Sequence, residues 1–158
     1  MRQILIAIDG SEYALRAVNY ISTQFCGCDD VRVTLFHVLP YIPAEFWDDG
    51  HILSDEERKA RKNIVDKWLS NQTLKLDPIF GAARKLLFES GFRADQISTK
   101  WIPDSTDVAK SIAEEVMTSG YQTLVMGRRG HSHPRQPLGS ITERVMRQGT
   151  GTTICIVE

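Results

Sequence analysis

Cysteine is scarce and odd in number: Cys26, Cys28 and Cys155 are the three in 158 residues. Three thiols do not make the even-numbered disulfide framework of a small secreted domain, and a reducing cytoplasm is the expected compartment. Long apolar runs are missing too. No stretch approaches the roughly 20 residues that a bilayer-spanning helix needs, so no membrane association is expected. The opening MRQILIAIDG has a short apolar run cut by Asp9 and no small-residue cleavage site, unlike a secretory leader. A surplus of one charge sign is also lacking. The formal net charge is −1, which offers no global field to DNA, RNA or an anionic membrane. Any basic site must be local.

Several catalytic signatures are absent as well. Without Gly-x-x-x-x-Gly-Lys there is no Walker-type phosphate loop. Without His-x-Gly-His a nucleotidyltransferase of the α/β type is disfavoured, and there is no Gly-x-Ser-x-Gly nucleophile elbow. His131 and His133 lack a second histidine pair or Cys-x-x-Cys to complete a zinc set, so they read as loop histidines, and Cys26 and Cys28 as small residues at a helix end. Trp47, Trp68 and Trp101 read as packing residues.

What is present alternates. Gln3 to Ile8 is a nearly continuous apolar run, as in a strand buried on both faces. Ser11 then caps a helix carrying Ala14, Leu15, Val18, Ile21 and Phe25 on one face, ended by Gly27. Val31 to Val38 is rich in β-branched residues and is stopped by Pro40 and Pro43. Residues 39 to 53 read as a loop with Tyr41, Phe46 and Trp47 as packing anchors. Ser54-Asp55-Glu56-Glu57 has capping-box spacing. The helix it opens is expected to pause near Asn71, because Asp77-Pro78 is a second start signal for a segment ending at Gly91.

Ile97 to Ile102 reads as a third strand, Pro103-Asp104-Ser105 as a turn, and Val108 to Val116 as a helix stopped by Gly120. Thr123 to Met126 is a fourth strand running into Gly127. A loop to Gly139 leads to a short helix, Ser140 to Gln148, and Thr153 to Val157 is a fifth strand. Strands alternating with helices argue for an α/β domain spanning residues 1–158, a parallel sheet with helices on both faces. Pattern alone does not give the strand order.

In such a sheet ligands sit beyond the carboxyl ends of the strands. Asp9 falls there, and so does Gly127-Arg128-Arg129-Gly130 with Gly139-Ser140. Glycine lets main-chain N–H groups approach an oxyanion, and the uncapped start of a helix favours phosphate. The Ser140 hydroxyl can add a hydrogen bond or cap its own helix. Between Gly127 and Gln148 stand five arginines (128, 129, 135, 144 and 147) against one acid, Glu143. Arginine suits phosphate because its fork can bond two oxygens. Asp9 has two open readings, a helix cap shared with Ser11 or an acceptor for ribose hydroxyls. Carboxylates around the site are otherwise few, so efficient catalysis is not indicated.

The pieces ILIAIDGSEYALRAV, VTLFHVLP, DVAKSIAEEVMTSGYQTLVMGRRG and GSITERVMRQGTGTTICIVE together resemble the universal stress protein family over essentially the whole chain. That family's ATP-binding signature is Gly, two residues, Gly, nine residues, Gly, then Ser or Thr. Gly127, Gly130 and Gly139 follow it with eight residues in the long gap. The resemblance implies a Rossmann-like sheet of five parallel strands, order 3-2-1-4-5. It implies a cytoplasmic stress-response regulator that binds ATP, ADP or AMP, with Mg²⁺ as an optional companion. By the same resemblance Asp9 contacts ribose, main chain at Val38 meets adenine, and Met126 and Gly127 line the pocket. Gly130, Gly139, Ser140, Ile141 and Thr142 hold phosphates. Independently of the resemblance, Arg128 or Arg129 is expected to supplement the phosphate contacts. The shortened loop leaves the length of the phosphate tail open. Members of the family commonly pair through the last strand, which implies a homodimer. Two other functions stay open: an interaction module of the same fold without a nucleotide, and a slow ATP hydrolase.

Overall fold

The computed structural model describes residues 1–40, 54–130 and 137–158. Five strands form one sheet: β1 (Arg2–Ala7), β2 (Val31–Pro40), β3 (Ile97–Ser105), β4 (Thr123–Gly127) and β5 (Thr153–Val157). All neighbours are parallel and the order is β3-β2-β1-β4-β5. Four helices connect them: α1 (Glu12–Gln24), α2 (Asp55–Glu89), α3 (Val108–Thr118) and α4 (Ser140–Gln148). This is the α/β sheet and order that the resemblance implied.

The strands are apolar on both faces because both faces are covered. Ile4, Ile6, Val33, Leu35 and Val125 pack with Ala14, Ala17, Val18 and Ile21 of α1 and Leu76, Phe80, Ala83 and Leu87 of α2. The intervening residues Leu5, Phe36, Leu124 and Met126 face Ala109, Ile112 and Val116 of α3 and Val145 of α4. The period of two along each strand thus sorts side chains between two helical layers. Moving β1→α1→β2→α2→β3 runs outward on one side of β1. The step through α3 returns to the other side, where β4 and β5 lie.

Three expectations need correction. Helix α2 does not pause near Asn71: it runs unbroken from Asp55 to Glu89 with Pro78 inside. Its anchored stripe, Leu76, Phe80, Ala83 and Leu87, begins before the proline, so helical phase has to be kept across it. The carbonyl four residues back belongs to Leu74, which is 68% exposed, and water can take the place of the bond that proline removes. The capping box at Ser54 and Glu57 is formed as the sequence predicts. Second, Pro103-Asp104-Ser105 is not a turn but the end of β3. Among the described residues β3 is an outer strand, with no neighbour on one side to miss the proline donor. Third, β2 continues through Leu39 to Pro40, with a register shift against β3 between Val38 and Pro40. Tyr41, Phe46 and Trp47 lie outside the described residues. Trp68 is half-buried on α2, and Trp101 is exposed on β3. No described helix is long and apolar enough to cross a membrane.

Candidate functional site

β1 and β4 are neighbours at the centre of the sheet, and the chain leaves them toward opposite faces, into α1 and α4. Divergence of that kind opens a crevice at the carboxyl ends. A cavity of about 410 Å³ occupies it, a size usual for small-molecule sites. Its lining brings together ten of the residues singled out from sequence, and leaves out Arg128. Asp9 follows β1, Val38 lies on β2, and Met126 and Gly127 end β4. Arg129 and Gly130 follow β4, and Gly139, Ser140, Ile141 and Thr142 open α4. His131, His133 and Arg135 lie outside the described residues.

One wall is apolar. Phe36, Val38, Ile112 and Met126 are buried and Val108 half-buried, giving a slot suited to a flat, weakly polar group. Val38 also offers main chain. The Ile8 amide donates to the Phe36 carbonyl (2.8 Å), so alternate residues of β2 turn their peptide groups toward β1. Ala7↔Phe36 is the last β1–β2 pair. Val38 therefore presents its peptide edge where β1 has turned away.

The other wall is polar. Asp9 Oδ1 accepts the Ser11 amide at 2.9 Å, and Ser11 Oγ accepts the Ala14 amide at 3.2 Å. Asp9 thus builds the turn into α1 while still lining the cavity. α1, α2 and α3 each begin with a side-chain cap, whereas α4 begins at Gly139 without one. Ser140 sits one position inside the helix, so its hydroxyl is not spent on capping. The Thr142 hydroxyl, in contrast, donates to the Gly127 carbonyl at 3.1 Å, which leaves its main-chain N–H as the donor for an anion.

The two adjacent arginines part company. Arg129 lines the cavity with its guanidinium 6.0 Å from the centre of the Tyr13 ring, and its buried Nε has no hydrogen-bond partner among the described residues. Arg128 instead reaches Pro137 and Glu158. Gly139 fits tightly: a Cβ there would come within 3.2 Å of Arg129 Cα.

Sequence reading missed the apolar lining, Ala7, Ile8, Ala14, Phe36, Val108 and Ile112, and His37. The strand residues are neighbours of Asp9 and Val38, and period two could have named them. His37 gave no signal. Its Nδ1 lies 2.7 Å from the Ile8 carbonyl, and since a carbonyl only accepts, Nδ1 carries the proton. Burial pushes the His37 pKa below its ordinary value, opposed by the Ile8 bond and the nearby Asp9 carboxylate.

A family model for the universal stress protein family matches residues 1–156. The chain belongs to that family. Among solved structures it resembles a protein whose biochemical function was assigned from its structure, at 20% identity and TM-score 0.68, covering 99% of this chain and 94% of that one. It also resembles a universal stress protein solved in complex with cAMP, at 19% identity and TM-score 0.59, with 99% and 96% covered. A third, from Archaeoglobus fulgidus and in complex with dAMP, has 14% identity and TM-score 0.60, with 100% and 98% covered. At these identities the likeness is one of fold. No curated protein is significantly similar in sequence. Family membership places the glycine pattern in context: Gly127 closes β4, and Gly139 opens α4.

Proposed function

We propose that this universal stress protein binds an adenine nucleotide in the cavity between β1 and β4 and acts as a regulatory module in the stress response. The observation that carries the reading is Arg129. A buried guanidinium N–H without a partner is costly unless something else accepts it. Here it lies in the same cavity as an uncapped helix start and a Ser140 hydroxyl that does not cap that helix. A phosphate meets all three. The apolar slot of Phe36, Val38, Ile112 and Met126 suits the base, and the exposed peptide edge of Val38 suits its hydrogen-bonding rim. Asp9, beside both, is within reach of a ribose. AMP and dAMP share these parts, and relatives solved with cAMP and dAMP support the choice of adenine. Mg²⁺ is not required by the described lining, where Asp9 is the one carboxylate. For the same reason the reading is binding, not turnover.

The same reading includes a homodimer through β5, one of the two edge strands among the described residues. The protein purified and then denatured should release an adenylate detectable by mass spectrometry. Titration calorimetry should show AMP binding that weakens by about 10- to 100-fold in Arg129→Ala, the usual worth of one charge-assisted hydrogen bond. No binding of AMP or ATP at millimolar concentration would sink the proposal.

A further inference from the structure

Among the described residues Arg128 makes four ties, and neither partner of its side chain, Pro137 or Glu158, lines the cavity. Its amide donates to the Val157 carbonyl at 2.6 Å, and its carbonyl accepts the Gly139 amide at 2.9 Å. Its Nε donates to the Pro137 carbonyl at 2.6 Å, and its guanidinium pairs with Glu158 just beyond β5. The glycine loop leaves β4 at Gly127 and re-enters at α4, and this one residue bonds the returning end twice, through main chain at Gly139 and through side chain at Pro137.

We propose that Arg128 is a positioning residue that clamps the two ends of the glycine loop, with Glu158 aiming its guanidinium, so that the start of α4 is held in place for a phosphate. This deepens the nucleotide reading and rests on it. A loop with unpinned ends must lose conformational freedom when a ligand engages it, and that loss subtracts from affinity. The backbone bond alone fixes one point and allows a hinge. The second bond at Pro137 removes it. Arginine suits the task because its planar fork serves two acceptors in different directions, whereas one ammonium cannot hold both in the same geometry. The ion pair is exposed at its Glu158 end, at 73%, so its contribution to global stability is small. The clamp should act on the loop and leave the core as it is.

The test uses the whole chain and two readouts. In ligand-free protein, hydrogen exchange at the Gly139 amide should quicken about tenfold in Arg128→Ala, the loss of one hydrogen bond's worth of local protection. Amides of β1 and β4 should be unchanged. With ligand, AMP affinity should fall about tenfold while adenosine affinity moves less than twofold. Arg128→Lys, which keeps the charge beside Glu158, should recover part of the AMP affinity. Unchanged exchange at Gly139 overturns the clamp, and so do equal losses for AMP and adenosine. A wild-type protein that binds neither ligand overturns the nucleotide reading instead, and the exchange rate at Gly139 still decides the clamp.

Discussion

A Cβ built on Gly130 would lie 2.5 Å from Asp9 Oδ2, about 1 Å closer than carbon and oxygen atoms normally sit. The backbone at Gly130 is not left-handed, so an alanine is allowed by its torsions and, among the described residues, is opposed only by the carboxylate. Gly130→Ala must therefore push Asp9 aside and weaken the bond from Asp9 Oδ1 to the Ser11 amide. Hydrogen bonds to a charged group are worth about 1.5–3 kcal/mol; for a half-buried carboxylate we take about 1–2 kcal/mol. Asp9→Ala surrenders the same bond at a similar cost. In the double variant the methyl group meets no carboxylate, and alanine lowers the entropy of the unfolded chain by about 0.4–1 kcal/mol. The double variant should thus be no less stable than Asp9→Ala alone, a coupling of at least about 1 kcal/mol.

Urea denaturation of the four proteins measures this cycle, and each kcal/mol corresponds to about 2–4 °C in melting temperature for a chain of this size. Losses that add to within about 0.5 kcal/mol would refute the close contact. Gly127→Ala is the control. Its Cβ would meet the Tyr13 main chain at 2.7 Å, which no side-chain truncation removes. It should cost about 1–3 kcal/mol whatever stands at position 9.

His37 should make stability fall in acid. Its proton affinity is lower in the folded chain because of burial, so the unfolded chain binds more protons, and stability rises with pH through this window. It is fully present above the ordinary value of 6.5 and declines below it. His37→Asn, which keeps a donor for the Ile8 carbonyl but does not titrate, should flatten the difference in urea midpoint between about pH 7.5 and about pH 5.5; an equal slope in both proteins refutes the assignment. For the dimer, Thr153 donates to Gln122, and Val157 accepts from Arg128, so alternate residues of β5 face β4. The Ile156 amide then points to the free edge. Ile156→Pro should leave the β4 ladder intact and convert a two-chain mass in light scattering to one chain, whereas a wild-type protein of single-chain mass sinks the pairing.

The sheet was legible because burial on both faces writes itself as runs such as Ile4-Leu5-Ile6 and Leu124-Val125-Met126, and helix starts at Ser11 and Ser54 carry capping chemistry within four residues. The polar half of the cavity was legible for the same reason: glycine, serine and arginine stand together in sequence at the end of β4. Two kinds of information were not local. The sequence around Asn71 and Pro78 matches the break it was read as, and only the distant partners of Leu76 and Phe80 require one continuous helix. His37 looks like any other strand residue until its ring is seen to reach the Ile8 carbonyl just past the end of β1. Arg128 and Arg129 are adjacent and chemically identical. Only the course of the chain beyond β4, which sends one toward the end of β5 and the other into the cavity, tells them apart.

The glycines themselves divide by task in a way their spacing hides. The anion argument assigns every glycine of the pattern to exposing amides. At Gly127 and Gly130 the backbone is not left-handed, and what excludes a side chain is Tyr13 in one case and Asp9 in the other. Both belong to the segment that opens α1. These two glycines therefore let the exit of β4 lie flush against the entry of α1, which brings the two halves of the crevice together. Gly139 packs instead against Arg129 and leaves the start of α4 uncapped. A side chain at Gly139 would press on the residue that offers its guanidinium to the cavity, whereas one at Gly127 or Gly130 would spread the cavity's walls. Loss of phosphate binding with the fold intact is thus expected first at Gly139, and loss of the cavity's shape at the other two.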